Sequence, residues 1–136
     1  MNRNIKLGVF GFGCVGQGLY NVLHQTRGIS AEIKKICIKH PEKVRPIDAS
    51  FFTTSRDEIL NDPDIDVVVE LIDEVDAAFE IVSAALRKKK AVVSANKKMI
   101  AEHFTELLEL QNQYATPFLY EASCCASIPV IRNLEE

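Results

Sequence analysis

The chain has 136 residues, of which 47% are hydrophobic and 26% are charged, and its formal net charge is −3. This composition is typical of one globular, water-soluble domain, and the mild negative charge argues against nucleic acid or a membrane surface as the principal partner. No apolar run approaches the ~20 residues that a membrane span needs. We therefore expect residues 1–136 to form a single domain of a cytoplasmic protein.

Cysteine and histidine are the residues most often found at metal sites. In this chain the cysteines are Cys14, Cys37, Cys124 and Cys125, and the histidines are His24, His40 and His103. The cysteine spacing fits neither a zinc site nor a disulfide framework, so we expect free thiols, as in a reducing cytosol. The histidines are scattered beside polar residues, and we expect solvated surface groups.

Short β-rich runs alternate with amphipathic helical stretches along the chain. The predicted strands are Ile5–Phe10, Glu32–Ile38, Val67–Leu71, Ala91–Ser94 and Pro117–Tyr120, with a weaker one at Phe51–Thr54. Helices are predicted after a glycine-rich segment at residues 11–18, over Val75–Lys88, and from Phe104 to Tyr114. The polar segment at residues 61–66 predicts a helix end followed by a turn.

Strands that alternate with helices predict right-handed crossovers and a mostly parallel sheet. The segment VVVEL is apolar on both sides, as expected when helices cover both faces of the sheet. The predicted fold is therefore α/β, a Rossmann-type doubly wound sheet. Ligands of such sheets bind beyond the carboxyl ends of the strands, which directs attention to the loops at Gly11–Gly16, Glu70–Asp76, Ser94–Lys98 and Glu121–Ser127.

The segment GFGCVG supplies the first of these loops, with Gly11, Gly13 and Gly16 spaced as G-x-G-x-x-G between a strand and a helix. Such glycines permit a tight turn, a close approach of the backbone to a pyrophosphate, and close helix–strand packing. The amino end of the helix adds unpaired N–H groups and a partial positive charge. The spacing predicts a dinucleotide site, with a merely structural tight loop as the alternative.

The acidic residue that usually follows the second strand of a dinucleotide fold is missing. Lys39 or His40 stands there instead, and Lys43 and Arg45 follow. A carboxylate would repel a 2′-phosphate whereas these cations would attract one, which favours NADP(H), or use of both cofactors, over strict NAD. The alternative is that these cations are only solvated loop charges.

The later loops also carry polar residues at strand ends. Glu70 could accept hydrogen bonds from backbone amides near a cofactor, or could simply lead the chain into water. Ser94, Asn96 and Lys97 follow the next strand, where a lysine can orient an electron-rich oxygen near the nicotinamide; a surface lysine is the alternative. Glu121 ends the last strand before a stretch of small residues.

Taken together, GFGCVGQG, VVELI, VVSANK and YEASCCASIP resemble, in order and across essentially the whole chain, the cofactor domain of homoserine dehydrogenase. The resemblance implies NAD(P)-dependent hydride transfer between L-homoserine and L-aspartate 4-semialdehyde, in threonine, methionine and isoleucine biosynthesis. It also implies that the chain is a fragment of a homo-oligomeric parent. The substrate residues would lie in a C-terminal domain, so we expect the 136-residue chain alone to be inactive.

The resemblance assigns roles to individual positions. It implies that Lys97 is catalytic, close to both nicotinamide and substrate, and that Glu121 holds a monovalent cation such as sodium. The implied main-chain ligands of that cation are Cys124, Ala126 and Ile128. The implied cofactor-binding residues are Gly11, Phe12, Gly13, Cys14, Val15, Gly16, Lys39, Ser94, Asn96 and Lys97.

This chain departs from the family pattern at two places. Asp73 and Glu74 replace a glycine pair after VVELI, and the CCAS segment, with its bulkier Cys125, replaces a valine-and-glycine stretch. Two other classes of protein share parts of the pattern. A nonenzymatic NAD(P)-sensing domain needs only the glycine loop, and another two-domain dehydrogenase, such as one acting on aspartate, would lack the paired ANK and YEAS motifs.

Overall fold

The computed structural model of the chain describes residues 5–12, 18, 20, 31–40, 42 and 49–120. In these ranges the strands are β1 Ile5–Phe10, β2 Ala31–Cys37, β3 Phe52–Thr53, β4 Val67–Glu70, β5 Ala91–Ser94 and β6 Phe118–Tyr120. They form one sheet in the order β3-β2-β1-β4-β5-β6, and every pair is parallel. The order reverses between β1 and β4, so a crevice for a ligand is expected at the carboxyl ends of these two strands.

Helices connect the strands in the same part of the chain. They are α1 Asp57–Leu60, α2 Val75–Arg87, α3 Lys97–Glu102 and α4 Phe104–Tyr114, and a 3-10 turn covers Ala49–Phe51. None of the helices in the described ranges is long and apolar enough to span a bilayer.

Two hydrophobic layers cover the sheet because successive strand residues point to opposite faces. On one face, Val68 and Val92 pack with buried side chains of all four helices. On the other face, Val67, Val69 and Val93 join the buried residues of β1 and β2. Tyr20, which has helical backbone conformation, packs on this second face. The predicted Rossmann-type fold is therefore confirmed.

The sequence predicts most elements to within a residue of their observed ends. The bounds of β1 and β5 are as expected, and β2 begins and ends one residue earlier than predicted. The turn expected at residues 61–66 follows α1, which ends at Leu60 with Asn61 as its C-cap. The short helix α3 is an addition to the predicted elements.

Lys90 is a buried lysine at the amino edge of the sheet, directly before β5. Its side chain is buried, and Nζ donates hydrogen bonds to the main-chain carbonyls of Asp62 at 2.5 Å and Ile65 at 2.9 Å. Burial lowers the pKa of Lys90, while Asp62 acts in the opposite direction. The lysine thereby satisfies carbonyl groups of the turn that leads into β4.

Two histidines and one cysteine lie in the described ranges. His40 is exposed, as predicted, whereas the prediction for His103 is wrong, because its ring stacks on Phe79 with centroids 3.9 Å apart. Cys37 is a free, half-buried thiol, as predicted. No cluster of three or more acidic, histidine or cysteine side chains suited to a metal occurs in the described ranges.

Candidate functional site

Gly11 turns the chain across the carboxyl edge of the sheet. Its N–H donates to the carbonyl of Cys37, at the end of β2, at 2.9 Å, and its φ of +98° is one that only glycine adopts readily. A Cβ at this position would lie 3.2 Å from the Leu71 carbonyl oxygen and 3.2 Å from Cγ2 of Ile72. Glycine is therefore favoured here for a close passage beside the segment that follows β4, next to the switch point of the sheet.

Phe12 follows Gly11 and lies partly inside the second hydrophobic layer. Its ring meets that of Phe52 edge-on, with centroids 5.4 Å apart. The side chain thus anchors the glycine segment to β3. Any contact of Phe12 with a cofactor would involve its main chain or the exposed part of the ring.

Glu70 is buried at the end of β4, so the expectation that it simply leads into water is wrong. One carboxylate oxygen accepts from the hydroxyl of Ser94 at 2.6 Å, and the other accepts from the N–H of Ile72 at 2.7 Å. Burial raises the pKa of Glu70. The two hydrogen bonds lower the pKa by a smaller amount, and the charge of Asp73 raises it. The carboxylate ties the loop after β4 to the end of β5.

Asn96 continues this network. Its N–H donates to Oγ of Ser94 at 3.2 Å, and its Nδ2 donates to the carbonyl of Ile72 at 3.0 Å. Its Oδ1 accepts from the N–H of Met99 at 3.0 Å, which makes Asn96 the N-cap of α3. Ser94 and Asn96, both predicted to bind cofactor, are thus brought together here as buried residues at the carboxyl edge of the sheet.

Lys97 is the first residue of α3 and is exposed. Asn96 fixes the start of the helix and hence the point from which the lysine side chain leaves. Within the described part of the chain, the Lys97 ammonium makes no hydrogen bond or ion pair.

Lys39 lies two residues after β2 and reaches across the edge to the segment that precedes α2. Its Nζ is 2.5 Å from Oε1 of Glu74, and both side chains are largely exposed. The hydrogen bond and charge of Lys39 lower the pKa of Glu74. The sequence draws attention to both residues but does not indicate their pairing, because they are 35 positions apart.

The remaining predicted site residues lie outside the described residues. They are Gly13, Cys14, Val15, Gly16, Glu121, Cys124, Ala126 and Ile128. Their assigned roles in binding dinucleotide or a cation therefore stay predictions.

Residues 11–121 match the family described as "Homoserine dehydrogenase, NAD binding domain". Homoserine dehydrogenase of Bacillus subtilis is 37% identical over 143 residues, which cover 98% of this chain and 33% of that protein. The Synechocystis enzyme of the same name is 33% identical over 139 residues, covering 97% of this chain and 32% of its own length. The chain thus spans about a third of the length of these relatives.

Solved structures show the same likeness. Homoserine dehydrogenase of S. aureus superimposes with a TM-score of 0.82 at 28% identity, covering 90% of this chain and 33% of that one. The Thiobacillus denitrificans enzyme gives a TM-score of 0.80 at 28% identity, covering 86% and 29%. A hyperthermophilic archaeal homoserine dehydrogenase in complex with NADPH, at 18% identity and a TM-score of 0.69, shows the fold alone and covers 87% and 44%.

Proposed function

The chain belongs to the NAD-binding domain family of homoserine dehydrogenase, and on that premise we propose that it holds NADP or NAD for hydride transfer between L-homoserine and L-aspartate 4-semialdehyde. The observation that carries the proposal is Gly11, whose left-handed backbone crosses the carboxyl edge at the switch point of the sheet. Dinucleotides bind at this switch point in doubly wound folds. Because the chain spans about a third of its relatives, turnover belongs to a longer protein, and we expect the chain alone to bind cofactor without activity.

The residues at the carboxyl edge suit a dinucleotide. The glycine segment would carry the pyrophosphate, and the ammonium of Lys39 is placed after β2, where the adenosine ribose is recognised in this class of fold. When bound, the nicotinamide ring would supply or accept the hydride. The chain's own part is to hold the cofactor in place and to present Lys97 beside it.

We propose that Lys39 favours NADP through its attraction to the 2′-phosphate. Titration of the chain with NADPH and NADH tests this directly. Lys39→Ala should weaken NADPH binding by about tenfold and leave NADH binding nearly unchanged. Lys88→Ala is a matched control, since it removes an exposed lysine after α2, at the amino edge of the sheet. An unchanged ratio of the two affinities in Lys39→Ala would contradict the assignment.

We propose that Lys97 orients the reacting oxygen of the substrate. In the longer protein, Lys97→Ala should lower kcat/KM by about 100-fold or more, as is usual for loss of a charge-stabilising donor. Lys98→Ala is the control, because it removes the same charge from the next exposed position of α3. Equal activity of the two variants would return Lys97 to the role of a surface residue.

The family resemblance also supports a monovalent cation such as sodium at Glu121 and the main-chain carbonyls of Cys124, Ala126 and Ile128. Oxygen ligands are those that hard cations prefer. Cofactor titrations repeated with sodium replaced by a large organic cation would test this part of the proposal. A homo-oligomeric parent, implied by the same resemblance, and a cytoplasmic location, indicated by the expected free thiols, remain predictions.

A further inference from the structure

The carboxylate of Glu74 lies beside the lysine that stands where the dinucleotide fold normally has its acid. In such folds an Asp or Glu directly after the second strand accepts a hydrogen bond from the 2′-hydroxyl of the adenosine ribose. Here Lys39 stands after β2, and Oε1 of Glu74 lies 2.5 Å from its ammonium. An acidic oxygen is thus present beside this position, although it comes from the other side of the switch point, in the segment between β4 and α2.

The Glu74 side chain is not used by the helix that it precedes. Glu74 is the N-cap residue of α2, but its carboxylate makes no capping hydrogen bond. The side chain points instead to Lys39, with 65% of its surface exposed. Its carboxylate is therefore accessible to a ligand at this edge, and no backbone amide of α2 depends on it.

The two charges of this pair act in opposite directions on the two cofactors. A 2′-phosphate must approach Lys39 past a carboxylate that already pairs with it, so Glu74 opposes NADP by repulsion and by competition for the cation. A 2′-hydroxyl is a donor without charge, and the carboxylate can accept from it. The cation alone favours NADP, whereas the pair moderates that preference.

We propose that Glu74 is a specificity-determining residue that restrains binding of the 2′-phosphate through its pair with Lys39 and accepts the 2′-hydroxyl of NAD. The inference rests on the proposed function, since it concerns the cofactor of that same site. It places the acid of the cofactor site after β4, where Asp73 and Glu74 stand in this sequence.

The test is a pair of binding titrations, with NADH and with NADPH, on the chain carrying Glu74→Gln. The substitution keeps the side-chain volume and removes the charge. We expect the ratio of the NADPH Kd to the NADH Kd to fall about three- to fivefold, which is the size of an effect between exposed charges. The change in the ratio should shrink as the ionic strength rises, because salt screens exposed charges.

A matched control lies on the same helix. Glu80 is 67% exposed and pairs with Arg56 at 3.0 Å, so Glu80→Gln removes a similarly exposed carboxylate and its ion pair while the Lys39–Glu74 pair is retained. Arg56 also acts electrostatically on Glu74, so this variant shows what the release of that cation contributes on its own. The ratio of affinities should not change in this variant. In Lys39→Ala, adding Glu74→Gln should produce a smaller gain in NADPH binding, because no cation is left to be released.

The outcomes separate this inference from the proposed function. If the unaltered chain binds neither NADH nor NADPH, the proposed function fails. If both bind and Glu74→Gln changes the ratio no more than Glu80→Gln does, the role of Glu74 is refuted while the proposed function stands. A fall in the ratio that is specific to Glu74→Gln and sensitive to salt supports the inference.

Discussion

Glu70 has an unusual environment for a glutamate, because its side chain is fully buried. It ends β4 beside β5, and its carboxylate accepts hydrogen bonds from Ser94 and Ile72. The apolar run around it correctly predicts a buried strand, but the burial of the carboxylate itself depends on a hydroxyl 24 positions away. A single sequence does not show that pairing, which is why the side chain could equally have been expected to reach water.

Glu70→Gln should change how stability varies with pH. The pKa of Glu70 is raised by burial, so the folded state keeps its proton to a higher pH than the unfolded state does. The free energy of unfolding then falls as the pH rises above about 4.3, until the raised pKa of the folded state is passed. Urea unfolding at a series of pH values should show this loss in the unaltered chain and a smaller one in Glu70→Gln.

The control for this measurement is Glu109→Gln, which changes an exposed carboxylate on α4. Its stability should follow the pH curve of the unaltered chain. Parallel pH curves for the unaltered chain and Glu70→Gln would show that Glu70 carries no such linkage.

Gly11 gives a second prediction at this scale. Gly11→Ala forces a left-handed backbone on alanine and brings Cβ to 3.2 Å from the Leu71 carbonyl oxygen. We expect a loss of about 1–3 kcal/mol of unfolding free energy. Gly18→Ala is the contrasting variant, because Gly18 is helical and an added Cβ meets no atom within 4 Å.

By reducing the freedom of the unfolded chain, Gly18→Ala should stabilise by about 0.4–1 kcal/mol. Denaturant midpoints measure both variants. If both substitutions changed the unfolding free energy equally, the left-handed backbone at Gly11 would not be the reason why glycine is needed there.

At the scale of elements, the long helices were easier to predict than the short ones. Both α2 and α4 repeat apolar residues at helical spacing over several turns, and their predicted positions are confirmed. The helix α3 has only six residues, too few for such a repeat, and it depends on Asn96 and on the burial of Met99 and Ile100. An asparagine two residues after a strand is the local signal that could have indicated its start.

The end of α4 offers a test of helix termination. Ala115 is its C-cap and has a φ of +51°, and its N–H donates to the carbonyl of Gln111. Glycine adopts this left-handed conformation more readily than alanine, so Ala115→Gly should raise the unfolding free energy by about 0.5–1 kcal/mol.

Ala101→Gly, at an exposed position inside α3, is the matched control for this change. It should destabilise by about 1 kcal/mol, because there the helical conformation favours alanine. Thermal or urea unfolding of both variants decides the point, and destabilisation by Ala115→Gly would contradict the argument.

For the whole molecule, the parallel sheet separates two hydrophobic layers. Leu107 of α4 belongs to one layer and Ile33 of β2 to the other, and both are buried. The alternation of strands and helices in the sequence was enough to predict this arrangement. The strand order is not written in the sequence pattern, so the prediction of a crevice came from the general rule for doubly wound sheets.

Substitutions in the two layers should therefore act independently. Leu107→Ala and Ile33→Ala should each cost about 2–5 kcal/mol, through lost burial and the cavity that remains. Their combined effect should equal the sum to within about 0.5 kcal/mol, because the side chains belong to different clusters. Urea unfolding of the two single variants and the double variant measures these free energies. A larger departure from additivity would show that the sheet transmits strain between its faces.

The burial of Lys90 has a practical consequence. Its ammonium lies against the carbonyl oxygens of Asp62 and Ile65, whereas neighbouring Lys88 and Lys89 are exposed. An amine-directed reagent used for a short time should modify the two exposed lysines and spare Lys90 until the chain opens. Mass spectrometry of the peptide that contains Lys90 then measures the rate at which the chain unfolds, without any engineered probe.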